Sequence, residues 1–137
     1  MELQNTSKYA IRILSYIAKN GTTKLCSAKE LSEKLNISYK FLTKIMIHLI
    51  KNSFVISVKG RGGGYKLSKL SCEISIYDIL DSLKELDNDT QCILGIGECN
   101  EKNKCALHDQ WIQPKELIKK MYKNTTLDQL EDKEFKI

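Results

Sequence analysis

The chain has 137 residues, 42% hydrophobic and 28% charged, with a formal net charge of +5. That length suits one compact domain with a small appendage, and that apolar share excludes a wholly disordered chain. No apolar run approaches a membrane span and the opening MELQNTSKYA lacks a secretory apolar segment, so a cytoplasmic protein is expected.

Charge is unevenly spread. Residues 1–70 carry thirteen Lys and Arg against three Asp and Glu, whereas residues 71–137 carry nine against fourteen. A basic half joined to an acidic half suggests a polyanion-binding module followed by something else, although a lysine-rich solvated surface gives the same sum.

Residues 7–19 place Ala10, Ile13, Leu14, Ile17 and Ala18 on one helical stripe. Asn20-Gly21 then provides a left-handed terminus. Ser27 stands three residues before Glu30, the spacing of a capping box, and predicts a second helix with Ala28, Leu31 and Leu35 inward. Asn36 suits a tight turn. Ser38 caps a third helix running to about Lys51, with Leu42, Ile45, Met46 and Leu49 buried. Two short helices joined this way make a helix-turn-helix.

Phe54 to Val58 is predicted as a strand and Tyr65 to Ser68 as its partner. Between them Lys59-Gly60-Arg61-Gly62-Gly63-Gly64 forms a hairpin tip that glycine makes sterically accessible. A helix-turn-helix followed by a basic hairpin is a winged helix. Ser75 and Asp78 open another helix, with Ile76, Ile79, Leu80 and Leu83 inward. Residues 87–104 are polar and unpatterned, hence a loop. Beyond them Leu107, Trp111, Pro114, Ile118 and Met121 recur at spacings of four and three, a coiled-coil-like seam suited to a partner helix. Pro114 either opens this helix or kinks it. The expected architecture is mostly α with a small β-hairpin. It comprises a winged helix-turn-helix over residues 1–86, then a loop and long dimerisation helix over 87–137.

The candidate DNA-reading residues are Ser38, Tyr39, Lys40, Thr43 and Lys44, at the N-terminal half of the third helix and mostly off its apolar stripe. In this motif that end enters the major groove. Ser and Thr bond base edges or phosphates, lysine neutralises phosphates, and Tyr39 can do either or stack. Lys59, Arg61 and Lys66 of the wing would meet the backbone or an adjacent minor groove. A helical hairpin with a merely solvated polar face is the competing view. The order helix, turn, helix, basic wing favours double-stranded DNA as the partner.

Cys92, Cys99, Cys105 and His108 are the candidate metal ligands. Three thiolates and an imidazole complete a tetrahedral site or hold an iron–sulfur cluster, and the wide spacings suit a multi-atom cluster better than zinc, whose structural sites have close cysteine pairs. Spacing alone leaves cluster, zinc and free thiols open. Cys26 and Cys72 stand apart, as small buried or semi-buried residues. No substrate-pocket motif, nucleotide loop or paired carboxylates point to an enzyme, and an iron–sulfur electron carrier would need neither a wing nor a basic N-terminal half.

These features resemble the Rrf2 family of bacterial transcription regulators across nearly the whole chain. The resemblance rests on Ser7 to Ala10, Ala28 to Leu49, the wing from Val58 to Leu67, the three cysteines, and Thr126 to Leu130. It implies a homodimeric winged-helix repressor or activator with an iron–sulfur cluster in the 92–108 loop. Cys105-Ala106-Leu107-His108 resembles the IscR-type branch, where a histidine completes a 2Fe-2S site. Another branch uses an N-terminal aspartate for a four-iron cluster, and that position here is Lys8. The first cysteine gap is one residue longer than the IscR-type pattern, and Thr43 replaces an acidic residue of that branch, implying a different operator choice. The implied role is sensing cluster status to control cluster-assembly or iron-related genes. A cluster-free member responding through thiol redox or a protein partner is the alternative.

Overall fold

A computed structural model describes residues 2–86 and 91–131. Its elements are α1 (Asn5–Asn20), α2 (Ala28–Leu35), α3 (Tyr39–Lys51), β1 (Val55–Val58), β2 (Gly64–Leu67), a 3-10 turn (Ser71–Glu73), α4 (Ile76–Ser82), α5 (His108–Asn124) and α6 (Asp128–Glu131). The expected loop residues 87–90 lie outside the described residues.

The winged helix forms for local reasons. Ser27 and Ser38 cap α2 and α3 by accepting hydrogen bonds from the Glu30 and Phe41 amides. Glu30 does not complete a capping box: its carboxylate instead accepts from the Tyr16 hydroxyl at 2.8 Å and from Lys24 at 3.1 Å. Asn36, at φ 52°, ψ 50°, makes the left-handed stop between α2 and α3. Gly21 departs from expectation, with φ −84°. It is needed for close approach, since a Cβ there would lie 2.4 Å from the Ile17 carbonyl oxygen.

The stripes of α1, α2 and α3 meet in one core, which Phe54, Val55, Ile74, Ile79 and Leu80 complete. β1 and β2 pair antiparallel, Val55 opposite Leu67 and Val58 opposite Gly64. The chain before α2 adds a third short edge: the Cys26 and Tyr65 backbones exchange both hydrogen bonds, at 3.0 and 2.8 Å. Cys26 is therefore fully buried, whereas Cys72 on the 3-10 turn is exposed, against expectation. The turn leaves its side chain outside the apolar layer.

α4 opens at Ser75 as expected, through a reciprocal capping box with Asp78. α5 is the long helix, and Pro114 lies inside it rather than at its first turn. After α5 the chain returns to the core. Thr126 lies opposite Ser75, Leu127 N–H donates to Ile74 C=O at 3.0 Å, and the Leu127 side chain is completely buried. No helix among the described residues is long and apolar enough to cross a membrane.

Candidate nucleic-acid interface and thiol site

α3 presents Tyr39, Lys40 and Lys44 to solvent, with Tyr39 59% exposed. Ser38 is exposed, but its hydroxyl oxygen already accepts the Phe41 amide at 3.3 Å. The Thr43 hydroxyl donates to the Lys40 carbonyl at 2.9 Å, so its proton is engaged by its own helix. Arg12 holds the turn that aims α3. Its guanidinium donates to the last α2 carbonyl, Leu35, at 2.7 Å and covers the Tyr9 ring, itself edge-on to Phe41 of α3.

The wing tip depends on glycine twice. Gly60 and Gly62 have φ of 101° and 75°. Gly63 admits no Cβ, which would stand 2.2 Å from the Val58 carbonyl oxygen. Lys59, Arg61 and Lys66 are exposed on this rigid hairpin. Burial, and then the negative charge that Tyr39 would carry, push the Tyr65 hydroxyl above its ordinary pKa.

The second cluster lies where the 91–107 loop runs into α5. Cys92 is buried in a turn closed by its own N–H on Gly97 C=O at 3.0 Å and by Gly95 N–H on Cys92 C=O at 2.8 Å, with Gly95 and Gly97 at φ 71° and 66°. Cys105 hydrogen-bonds to the Cys92 sulfur, and the Leu94, Gly95 and Ile96 amides surround it. Together they pull that thiol below its usual range. The same contact, as its largest cause, pushes the Cys105 thiol above its usual range. Such a nest of amides stabilises negative charge on sulfur.

His108, the first residue of α5, is 2% exposed. Its Nδ1 lies 3.4 Å from Cys99 Sγ and its Nε2 lies 3.4 Å from Glu101 Oε1. Glu101 is steadied by Lys104 at 2.8 Å, and Lys104 reaches Asp109 at 3.2 Å. Glu101 carried no recognisable spacing signal. Lys8 forms a surface ion pair with Glu2 at 2.6 Å. The four candidate ligands thus come as two touching pairs, Cys92 with Cys105 and Cys99 with His108. Among the described residues no three donors converge at the spacing of a single ion. Three thiols and an imidazole are donors that both iron–sulfur clusters and zinc accept.

The Rrf2 family profile, described as an iron-dependent transcriptional regulator, matches residues 3–133. The chain belongs to the Rrf2 family. It is 33% identical over 95% of its length to a putative HTH-type transcriptional regulator of Aquifex aeolicus, covering 91% of that protein. It is 32% identical over 95% of its length to the HTH-type transcriptional regulator IscR of Klebsiella pneumoniae, covering 79% of it. Among solved structures, the global cysteine regulator CymR of B. subtilis superposes with a TM-score of 0.79 at 24% identity, over 96% of each chain. This Rrf2 protein is therefore a winged-helix, DNA-binding transcriptional regulator and, like its relatives, not an enzyme.

Proposed function

We propose that this regulator is a homodimer that reads operator DNA with Ser38, Tyr39, Lys40, Thr43 and Lys44 of α3 and with Lys59 and Arg61 of the wing. In this reading Cys92, Cys99, Cys105 and His108 hold an iron–sulfur cluster of the 2Fe-2S type. Residues 1–86 form the DNA module, residues 87–137 the cluster loop and dimer helix, and the genes controlled serve cluster assembly or iron supply. One observation carries this reading: three thiols and a buried imidazole are gathered at the N-terminus of α5. The iron-dependent description of the family and the likeness to IscR support it.

When bound, the cluster would supply a one-electron centre whose occupancy reports iron and oxygen status. The chain's own part is to hold and tune the ligands. The amides around Cys92 lower the electron density on its sulfur. Glu101, on the far ring nitrogen, leaves Nδ1 of His108 facing Cys99; metal-ligating histidines commonly have their other nitrogen held by a carboxylate in this way. The dimer seam takes Leu107, Trp111, Ile118 and Met121 from one side of α5, with Met121 54% exposed in the single chain.

Anaerobic reconstitution, followed by visible absorption and iron and sulfide analysis, tests the cluster. Equal iron and inorganic sulfide per protomer is the expected result, lost on replacing any of Cys92, Cys99 or Cys105. His108→Ala is expected to keep a labile cluster with a shifted potential; an unchanged spectrum and potential would exclude His108 as a ligand.

The hydrogen-bonded Cys92–Cys105 pair supports a second reading, a cluster-free thiol switch. There two thiols would give two electrons and two protons to an oxidant such as peroxide and form a disulfide. Protein that takes up no iron or sulfide, yet loses DNA binding reversibly on oxidation, would favour it.

A further inference from the structure

Single exposed apolar side chains are ordinary on protein surfaces, so position decides their meaning. On α3 the buried Leu42, Ile45, Met46 and Leu49 define the inward side. At roughly 100° per residue, Ile47 points away from them, among Lys40, Lys44 and Lys51. Those three lysines are exposed, and Ile47 is 67% exposed. It lies on the same side of α3 as the residues assigned above to the DNA groove, one turn C-terminal to Thr43 and Lys44. One turn earlier on that face stands Thr43. With its hydroxyl proton held by Lys40 C=O, Thr43 brings to a base edge a methyl group and oxygen lone pairs but no donor.

An apolar centre ringed by cations matches one feature of duplex DNA. The 5-methyl of thymine projects into the major groove between two rows of phosphates, and apolar side chains read it by contact. A protein covering Ile47 would also have to neutralise three lysines, whereas the phosphates flanking a groove do so without further design. Isoleucine suits the task because its branched Cβ already restricts χ1 in a helix, so little side-chain freedom is lost on contact.

We propose that Ile47, together with the Thr43 methyl, reads thymine methyl groups in the operator and is a specificity-determining residue of this regulator. The proposal rests on α3 being the recognition helix. It assigns to the operator at least one thymine per half-site whose methyl, not its hydrogen-bonding edge, is recognised.

The experiment selects binding duplexes from a random pool with the full-length protein. Each thymine is then replaced singly by deoxyuridine, which removes only the methyl. Burial of one such group predicts a loss of about fourfold in affinity at one or two positions per half-site. Ile47→Ala, a surface change expected to leave the fold intact, should lose most of the thymine preference at the position Ile47 contacts and match the parent on the duplex carrying uracil there. A parent indifferent to every exchange, or an Ile47→Ala variant that keeps the full thymine preference, overturns the proposal while leaving α3 in the groove. A parent with no sequence-selective binding overturns both the proposal and the recognition-helix assignment.

Discussion

Leu127 offers a quantitative test of how the segment after α5 is joined to the DNA module. Its side chain is completely buried in the core, and its backbone is paired with Ile74. Leu127→Ala deletes three carbon atoms from a site with no solvent access. Transfer alone accounts for roughly 2.4 kcal/mol at about 0.8 kcal/mol per buried carbon. The cavity left by incomplete collapse adds to this, and buried Leu→Ala substitutions cost about 2–5 kcal/mol in all. A loss of about 3 kcal/mol is expected, or about 10 °C in Tm for a chain of this size. Urea unfolding followed by circular dichroism, at one fixed protein concentration, should show a lower midpoint with an unchanged slope. Leu70→Ala, at a side chain 68% exposed, is the control and should stay within about 0.5 kcal/mol of the parent. A loss below about 1 kcal/mol for Leu127→Ala, or a separate early transition, would refute the reasoning: the return segment would then be docked on the core without being part of it.

Arg61→Ala should weaken operator and random duplex alike, lowering the slope of log affinity against log salt by about 0.9 per protomer; mobility shifts at several salt concentrations check this. Met121→Asp places a charge in the proposed seam and should weaken self-association at least about tenfold, read by sedimentation. His48 is held below its ordinary pKa of 6.5 by burial first and the Lys51 charge second. The unfolded chain therefore takes up this proton before the folded one does. Stability should fall as pH drops through about 6.5 toward the lower folded value, and His48→Gln should flatten that part of the stability profile.

Much of the fold was legible because it follows from local patterning. The apolar stripes of α1 and α3, the serine caps of α2, α3 and α4, and the glycine-rich hairpin each express a rule acting within a few residues. What escaped is non-local. Leu127 sits in the polar run Thr125 to Gln129 and shows no periodicity; its burial comes from backbone pairing with residues 74–76, distant in sequence. Glu30 had the spacing for a capping box, but Tyr16 and Lys24 from other segments compete for its carboxylate. Glu101 joins the thiol site only because the loop folds back over the start of α5. The candidate ligands were legible as residue types, whereas their pairing was not, because spacing does not say which sulfur meets which partner.

That pairing matters for how a signal at the loop reaches DNA. α5 carries His108 at its first turn, and its last residues lead directly into Thr125–Leu127, which pair with Ile74–Ile76. The 74–76 segment follows the wing by only the 3-10 turn, and Phe54 C=O, just before β1, accepts the Ser68 amide at 3.0 Å just after β2. One helix of 17 residues, about 25 Å long, therefore runs from the thiol site to the segment paired with residues 74–76, just after the wing. A change in the loop can alter DNA affinity only by the difference in free energy it makes between two placements of that helix. Both ends of α5 are anchored by buried groups, His108 at one and Leu127 just past the other. Rotation of α5 must therefore either repack the core around Leu127 or carry the paired 74–76 segment with it. Ile74 and Ile76 belong to the same core as Leu127, so either route repacks buried side chains at a cost of several kcal/mol, and a change at the loop must supply that difference.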